Sequence, residues 1–339
     1  MPRGTSSWRL LRAVLVFFWP ALLLATPAVA QTPDHVRLQL MWSNQAQFAG
    51  IYLARDKGLY AEEDLAVETI EGGPAIVPVE VMAKGGADVA IAWLPSALDA
   101  RRRGLDVVNI AQILRRPGMT VLCRRDAGIH SVLDIAGKSI GVWNVGDELT
   151  VRGWLKGFSI PLTRVSLVQQ AANGADLLSG RVACATAMMY NEYWSIVEGG
   201  LPPDKLIDAR LGDGGFGFLE DGLYVPRAAL TDPARRAVLV RFLRATLAGW
   251  RLAKQNPDDA FAATMKAAPN ADPTHQRRML ETILDLVGDA DGLGRLDQTA
   301  YRHSIEMIAN QSTDGAAVRA AGADGWTNLV WNDATATPK

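Results

Sequence analysis

The amino-acid sequence predicts an α/β protein. Short β-rich runs alternate with helical patterns along most of the chain, which is typical of βαβ units. The length of 339 residues suggests about two domains, at roughly 150 residues for each. Hydrophobic residues make up 49% of the chain and charged residues 21%, and 35 basic against 36 acidic side chains give a net charge of −1. This balance is typical of a soluble globular protein and favours neither disorder nor binding to nucleic acid.

Residues 1–30 are predicted to be a secretory signal peptide. Three arginines precede an apolar run at 13–25, and Ala28-Val29-Ala30 then supplies small residues at the two positions that a signal peptidase recognises. A membrane-spanning helix needs about 20 apolar residues, whereas this run is shorter and contains Pro20. We therefore expect cleavage after Ala30 and a mildly acidic mature protein in a periplasm.

In the first part of the mature chain the predicted elements form regular βαβ units. Residues 36–40 alternate with period two and predict a strand, and a helix follows over 46–60 with Lys57-Gly58 as its stop signal. The other elements predicted here are a strand at 65–70, a helix at 77–84, a strand at 87–93, a helix at 96–103 and a strand at 107–113.

A second lobe is predicted to begin between residues 115 and 140, where the regular pattern changes. Its predicted strands are 119–123, 139–143, 164–168 and 182–188, and its helices are 132–135, 147–156 and 174–179. Beyond a glycine-rich stretch at 212–217, residues 234–255 predict a long amphipathic helix that Asn256-Pro257 stops. Three further helices are predicted at 257–267, 273–287 and 297–310.

Cys123 and Cys184 are the only cysteines, which excludes both a disulfide framework and a four-thiolate zinc site. Export to an oxidising compartment allows the two thiols to form a disulfide. Both nevertheless lie in apolar, strand-like runs, which favours buried free thiols, so both states stay open and free thiols are preferred. The four histidines are scattered without metal-ligand spacing, and no metal centre is predicted.

Sequence motifs of known catalytic centres are absent. The chain has no nucleophile elbow, no HExxH and no glycine-rich dinucleotide fingerprint. Gly137-Lys138-Ser139 resembles the end of a phosphate-binding loop, but the required earlier glycine is replaced by Val132 and a strand follows. The sequence therefore predicts neither an enzyme nor a bound cofactor.

Aromatic and acidic residues collect at the carboxyl ends of predicted strands, which is the edge where ligands bind to open α/β sheets. These residues are Trp42, Trp93 and Trp143, then Asn144, Asp147 and Glu148 after one strand, and Tyr190, Asn191 and Glu192 after another. Each tryptophan could instead cover the core, and the two acids after Asn144 also suit a helix N-terminus. Their common position nevertheless predicts a ligand pocket.

Five segments, taken in order, resemble the thiamine-pyrimidine family of solute-binding proteins of ABC transporters. They are LQLMWSNQAQFAGIYLARDKGLYAEEDLAVE, EGGPAIVPVEVMAKGGADVAIAWLPSAL, DIAGKSIGVWNVGDE, MMYNEYW and RFLRATLAGWRLAKQNPDDA. The resemblance implies a two-lobed periplasmic-binding-protein fold with two crossings between the lobes and the ligand in the cleft. Lobe 1 is then expected at 34–115 and 210–333, and lobe 2 at 116–209. The resemblance also implies a monomer. Its implied partners are an inner-membrane permease, the ATPase of that permease and a small heteroaromatic ligand.

The resemblance also implies which residues contact the ligand. The implied cleft lining is Trp42, Asn44, Gln47, Trp93, Ser96, Trp143, Asp147, Glu148, Tyr190, Asn191 and Glu192. An aminopyrimidine precursor of thiamine is the expected ligand, while riboflavin, a nucleobase-like compound and a sulfonate or nitrate anion remain alternatives. The fungal enzymes of the family have a cysteine-rich motif without a counterpart in this chain, which makes a pyrimidine-processing enzyme the least favoured alternative.

Overall fold

Ten strands form two five-stranded mixed sheets in the computed structural model, which describes residues 32–143, 145–288 and 291–336. The predicted signal peptide at 1–30 lies outside these residues. The strands are β1 (Asp34–Gln39), β2 (Leu65–Ile70), β3 (Val89–Ala92), β4 (Val107–Gln112), β5 (Met119–Arg124), β6 (Ser139–Val142), β7 (Ser166–Gln169), β8 (Cys184–Met188), β9 (Leu206–Arg210) and β10 (Gly222–Pro226). Both sheets lie in one compact unit that starts at Pro33.

The two sheets repeat one topology. The first has the strand order β2-β1-β3-β10-β4 and the second β7-β6-β8-β5-β9. In each sheet four strands run in the same direction, and the fourth strand in the order, β10 or β5, is antiparallel to both of its neighbours. The chain passes from the first sheet to the second after β4 and returns after β9, which gives the two predicted crossings. The exact lobe boundaries stay a prediction.

Thirteen α-helices surround the sheets in the described part of the chain. They are α1 (Ala49–Asp56), α2 (Pro78–Ala83), α3 (Leu94–Arg102), α4 (Asp147–Gly157), α5 (Ala175–Leu178), α6 (Glu192–Glu198), α7 (Arg227–Thr231), α8 (Pro233–Gln255), α9 (Pro257–Ala267), α10 (Pro273–Val287), α11 (Gln298–Gln311), α12 (Gly315–Gly322) and α13 (Leu329–Thr335). None of these described helices is both long and apolar enough to cross a membrane.

Helix starts and helix packing follow from local chemistry. The carboxylates of Asp232 and Asp272 accept backbone N–H groups at the starts of α8 and α10, and a proline occupies the next position in both helices. Helix α8 lies directly against α1 because Gly50 leaves room for Trp250, whose ring would be 2.2 Å from a Cβ atom at that position. The buried Trp250 and Phe242 join α8 to the main core.

The α/β prediction is confirmed, and every predicted strand and helix in the described residues has a counterpart. The predicted helix at 46–60 is a 3-10 turn at 46–48 followed by α1. Six elements were not predicted: β9, β10, α6, α7, α12 and α13. The sequence pattern does not predict β10, because this strand follows a glycine-rich stretch and ends in Pro226.

The preferred expectation of two free thiols is wrong, because Cys123 and Cys184 form a disulfide. The two residues stand directly opposite each other in the antiparallel β5–β8 pair, with their Cα atoms 4.0 Å apart. Their apolar surroundings were read correctly, since both are fully buried. The pairing depends on strand register across 61 residues of sequence, which local composition does not reveal.

Candidate functional site

A cavity of about 100 Å³ lies where the carboxyl ends of parallel strands from the two sheets meet. Its first side consists of residues that follow β1, β2 and β3, and its second side of residues at the ends of β6, β7 and β8. Seven of the predicted site residues line it: Trp42, Gln47, Trp93, Trp143, Tyr190, Asn191 and Glu192. Their contact with a ligand stays a prediction.

Tryptophan rings from both sheets form the walls of the cavity. Trp93, directly after β3, lies with its ring centroid 6.3 Å from that of Trp143, directly after β6, at an angle of 55°. Phe218 supports Trp93 from behind at 5.6 Å. Trp93 is almost fully buried, whereas Trp42 and Trp143 are half-buried and offer ring surface. The tryptophans thus both close the core and provide aromatic surface for a flat ligand.

Glu192 is a buried carboxylate in the cavity lining. It begins α6, and its two oxygens accept hydrogen bonds from the Met188 backbone N–H (3.0 Å) and the Asn191 side-chain amide (2.8 Å). Only 3% of the residue is exposed, and this burial raises the pKa of its carboxyl to about 7. The cavity therefore holds an acid that changes charge near neutral pH.

Two more buried acids lie behind the cavity, where the chain crosses between the sheets. Glu220 accepts the backbone N–H groups of Gly118 (2.8 Å) and Met119 (3.2 Å), so its carboxylate ties the two crossings together. Asp221 accepts the side-chain amide of Gln47 at 2.6 Å. Burial raises the pKa of Glu220 to about 8 and that of Asp221 to about 6. No sequence motif marks either residue, and neither was predicted.

Asp147 supports the site without lining the cavity. Its fully buried carboxylate accepts the backbone N–H groups of Trp143 (2.8 Å) and Val145 (3.2 Å) and the Thr186 hydroxyl (2.9 Å). These bonds fasten the loop that carries Trp143. The structure therefore gives Asp147 a positioning role toward Trp143, and its contact with a ligand stays a prediction.

Three other predicted site residues also lie away from the cavity lining. Asn44 accepts the Tyr52 hydroxyl at 2.8 Å. Ser96 and Glu148 line a separate groove of about 780 Å³ beside α3 and α4, and Glu148 accepts the Gly146 N–H at 3.0 Å. Asn144 is outside the described residues.

Three glutamines of the lining were missed: Gln45, Gln169 and Gln170. The Gln170 amide is held by two hydrogen bonds that it donates to the Thr186 carbonyl (2.9 Å) and hydroxyl (3.0 Å). Gly141 makes room for it, because a Cβ there would lie 2.5 Å from Gln170 Oε1. The position of Gln169 and Gln170 at the carboxyl end of a predicted strand was the available signal.

Comparison with known proteins gives one family and several relatives. The family model described as "NMT1/THI5 like" matches residues 45–260. A formylaminopyrimidine-binding protein of Halalkalibacterium halodurans is 24% identical over 67% of this chain and 69% of its own length. The riboflavin-binding protein RibY of Chloroflexus aurantiacus is 25% identical over 85% and 86%. A 4-amino-5-hydroxymethyl-2-methylpyrimidine phosphate synthase of Legionella pneumophila is 24% identical over 79% and 87%.

Solved structures share the fold. The alkanesulfonate-binding protein SsuA of Xanthomonas axonopodis pv. citri, solved with bound MOPS, superposes with a TM-score of 0.61 at 15% sequence identity. The match covers 90% of this chain and 99% of that one. The predicted two-lobed periplasmic-binding-protein fold is thereby confirmed.

Proposed function

We propose, since the chain belongs to the NMT1/THI5-like family, that it is a periplasmic solute-binding protein that delivers a small, flat heteroaromatic compound to an ABC importer. An aminopyrimidine related to the precursors of thiamine is the ligand that the cavity favours. The observation that carries this proposal is the combination of tryptophan walls with one buried carboxylate, Glu192, in the cavity lining.

The chemistry of an aminopyrimidine complements these groups. Its ring can stack on the exposed faces of Trp42 and Trp143, and such aromatic pairs contribute about 0.5–1.5 kcal/mol beyond the burial of surface area. Its amino group and ring nitrogen form an amidine-like edge that can donate charge-assisted hydrogen bonds to the Glu192 carboxylate when the ring is protonated. The relative from Halalkalibacterium halodurans, named for binding a formylaminopyrimidine, supports this choice.

The size of the cavity favours a single ring over the three fused rings of riboflavin. About 100 Å³ is well below the roughly 300–1,000 Å³ of sites for larger, drug-sized ligands. Riboflavin stays the second candidate ligand, because a relative that covers most of this chain is named as a riboflavin-binding protein.

The charge of the lining disfavours an anion such as a sulfonate or nitrate. Among the described residues that line the cavity, none is lysine, arginine or histidine, and the one ionisable acid is Glu192. An anion beside this carboxylate would bring two like charges together in a buried place, which is costly. The same argument disfavours a phosphorylated pyrimidine, and with it the reaction for which the Legionella pneumophila relative is named.

Titration calorimetry with the purified mature protein tests the ligand class. We expect binding of 4-amino-5-hydroxymethyl-2-methylpyrimidine, with riboflavin weaker and with no heat from taurine or nitrate. Tight binding of taurine or nitrate without binding of the pyrimidine would contradict the proposal. Mass spectrometry of the incubated pyrimidine is the control for catalysis, and conversion of the compound would show an enzyme instead.

Cell fractionation tests the proposed location and partner. We expect the full-length protein to be cleaved and released with the periplasmic fraction, and a variant without residues 1–30 to stay in the cytoplasm. In proteoliposomes that contain the permease and its ATPase, the protein is expected to make pyrimidine uptake depend on ATP. Uptake at the same rate without the protein would contradict the transport role.

A further inference from the structure

A chain of hydrogen bonds leads from the cavity to the surface. Asn191 donates through Nδ2 to Glu192 Oε1 at 2.8 Å, and its Oδ1 lies 3.0 Å from Nε2 of His275. Nδ1 of the same histidine lies 3.2 Å from Glu198 Oε2. His275 belongs to α10 and the other three residues lie at or within α6, so the contacts join two helices.

The hydrogen bonds among Glu192, Asn191 and His275 can all be satisfied in two different protonation states. When Glu192 is ionised, the Asn191 amide must direct its NH₂ group to the carboxylate and its oxygen to His275. Both ring nitrogens of His275 then face acceptors, so the ring satisfies them only as an imidazolium. When Glu192 is protonated, its hydroxyl donates to the Asn191 oxygen, and the turned amide donates to a neutral His275 that keeps its proton on Nδ1.

We propose that Glu192 and His275 share one proton through the Asn191 amide, which makes His275 a positioning residue for the ligand carboxylate. In passing from the first state to the second, one proton leaves His275 Nε2 for water, one proton from water binds Glu192 Oε1, and the amide turns over. The number of bound protons and the number of hydrogen bonds stay the same. The inference rests on the proposed binding function only where it concerns the ligand.

The charged groups around His275 are of both signs. The groups near the ring are Glu198 and Glu192 from α6, and Arg278 and the helix-capping Asp272 beside it on α10. From α9, Asp258 pairs with Arg277 instead, and the packed turn at 46–48 carries no charged side chain. Burial raises the pKa of Glu192 to about 7, inside the range of pH 5 to 8 in which histidine side chains change charge.

The shared proton determines which ligand edge the cavity accepts. A ligand that donates hydrogen bonds to Glu192, as an amidine-like edge does, selects the carboxylate and the imidazolium. In the second state the Glu192 hydroxyl donates to Asn191, so the carboxylic acid offers a ligand only an uncharged acceptor. His275 thus sets the hydrogen-bonding character of the cavity without touching the ligand.

NMR of the ligand-free protein with ¹⁵N-labelled histidine tests the pair without any ligand. Because coupled groups titrate in two macroscopic steps, we expect two steps in the His275 signal of the wild type. Glu192→Gln removes the partner charge and should lower the His275 midpoint by about one pH unit. His303, whose ring contacts the Gly215 carbonyl, is the internal control and should not change. A single-step titration, or a midpoint that Glu192→Gln leaves in place, would overturn the inference.

Addition of 4-amino-5-hydroxymethyl-2-methylpyrimidine at pH 7 gives the second readout. We expect His275 to show two protonated ring nitrogens in the complex, and His275→Gln, which keeps a donor toward Asn191, to bind with a changed pH profile. Binding that leaves His275 neutral would overturn the inference while the proposed function stands. A coupled titration without pyrimidine binding would instead contradict the proposed function alone.

Discussion

Glu192 is the residue on which the proposed affinity depends most, because it combines burial, charge and a place in the cavity lining. Glu192→Gln keeps the shape but removes the charge of the acceptor. Hydrogen bonds to charged groups contribute about 1.5–3 kcal/mol, so affinity for the pyrimidine should fall about tenfold to a hundredfold. Titration calorimetry measures the change.

The matched control is Glu148→Gln, since Glu148 lies in the neighbouring groove and accepts the backbone N–H of Gly146. It should leave affinity unchanged. Equal affinities of Glu192→Gln and the wild type, at a preserved melting temperature, would remove Glu192 from the binding site.

Trp42 can be changed with less effect on the core than Trp93, because Trp42 is half-buried whereas Trp93 is almost fully buried. Trp42→Ala should weaken binding about threefold to tenfold through the loss of ring stacking. Trp42→Phe should restore part of the affinity because it keeps an aromatic face. An alanine variant that binds as tightly as the phenylalanine variant would show that Trp42 does not stack on the ligand.

At the scale of single residues, tryptophans at strand ends indicated the edge of the sheets at which the structure has a cavity. That this cavity binds the ligand stays a prediction. The sequence could not distinguish Glu192, which lines the cavity, from Asp147, which holds a loop, because both are acids next to a helix N-terminus. The difference arises from backbone N–H groups that only the folded loop directs at Asp147.

Strand β5 is the element that the disulfide stabilises, since Cys123 joins it to Cys184 of the adjacent β8. Replacing both cysteines by alanine should lower the free energy of unfolding by about 2–4 kcal/mol, chiefly because the unfolded chain gains conformational freedom. Urea denaturation measures this difference. Pyrimidine affinity should stay the same, because neither cysteine lines the cavity.

The wild type in a strong reductant is the matched control for the disulfide. It should unfold at the urea concentration of the double-alanine variant. Equal stability of the oxidised wild type, the reduced wild type and the variant would show that the bond does not stabilise the fold.

Among the elements, the strands that a predicted helix follows were the most predictable. Each of β1, β3 and β6 is a short strand-like run followed by a helical pattern, which the βαβ rule recognises. Strand β10 inserts between β3 and β4 after a long excursion through the second sheet. Its place depends on a pairing between distant segments, and no local periodicity records that pairing.

At the scale of the whole molecule, three buried acids predict how stability depends on pH: Glu192 in the cavity lining, and Glu220 and Asp221 at the crossings. Burial raises the pKa of Glu192 to about 7, of Glu220 to about 8 and of Asp221 to about 6. The folded state therefore binds more protons than the unfolded state, in which these groups titrate near their ordinary values of about 4. The resulting stability is fully present below those ordinary values and is lost as pH rises through the folded values.

We accordingly expect the free energy of unfolding to decrease by on the order of a few kcal/mol between pH 5 and pH 8, measured by urea denaturation across that range. Glu220→Gln should flatten the upper part of this dependence, because it removes the group that titrates highest among the three. Glu306→Gln is the control: Glu306 is exposed and paired with Arg319, which lowers its pKa and places its titration below this range. The free energy of unfolding of Glu306→Gln should depend on pH with the same slope as that of the wild type. Stability that stays constant or increases from pH 5 to pH 8 would mean that the acids at the crossings are charged in the folded protein, and that the backbone N–H groups bound by Glu220 offset its burial.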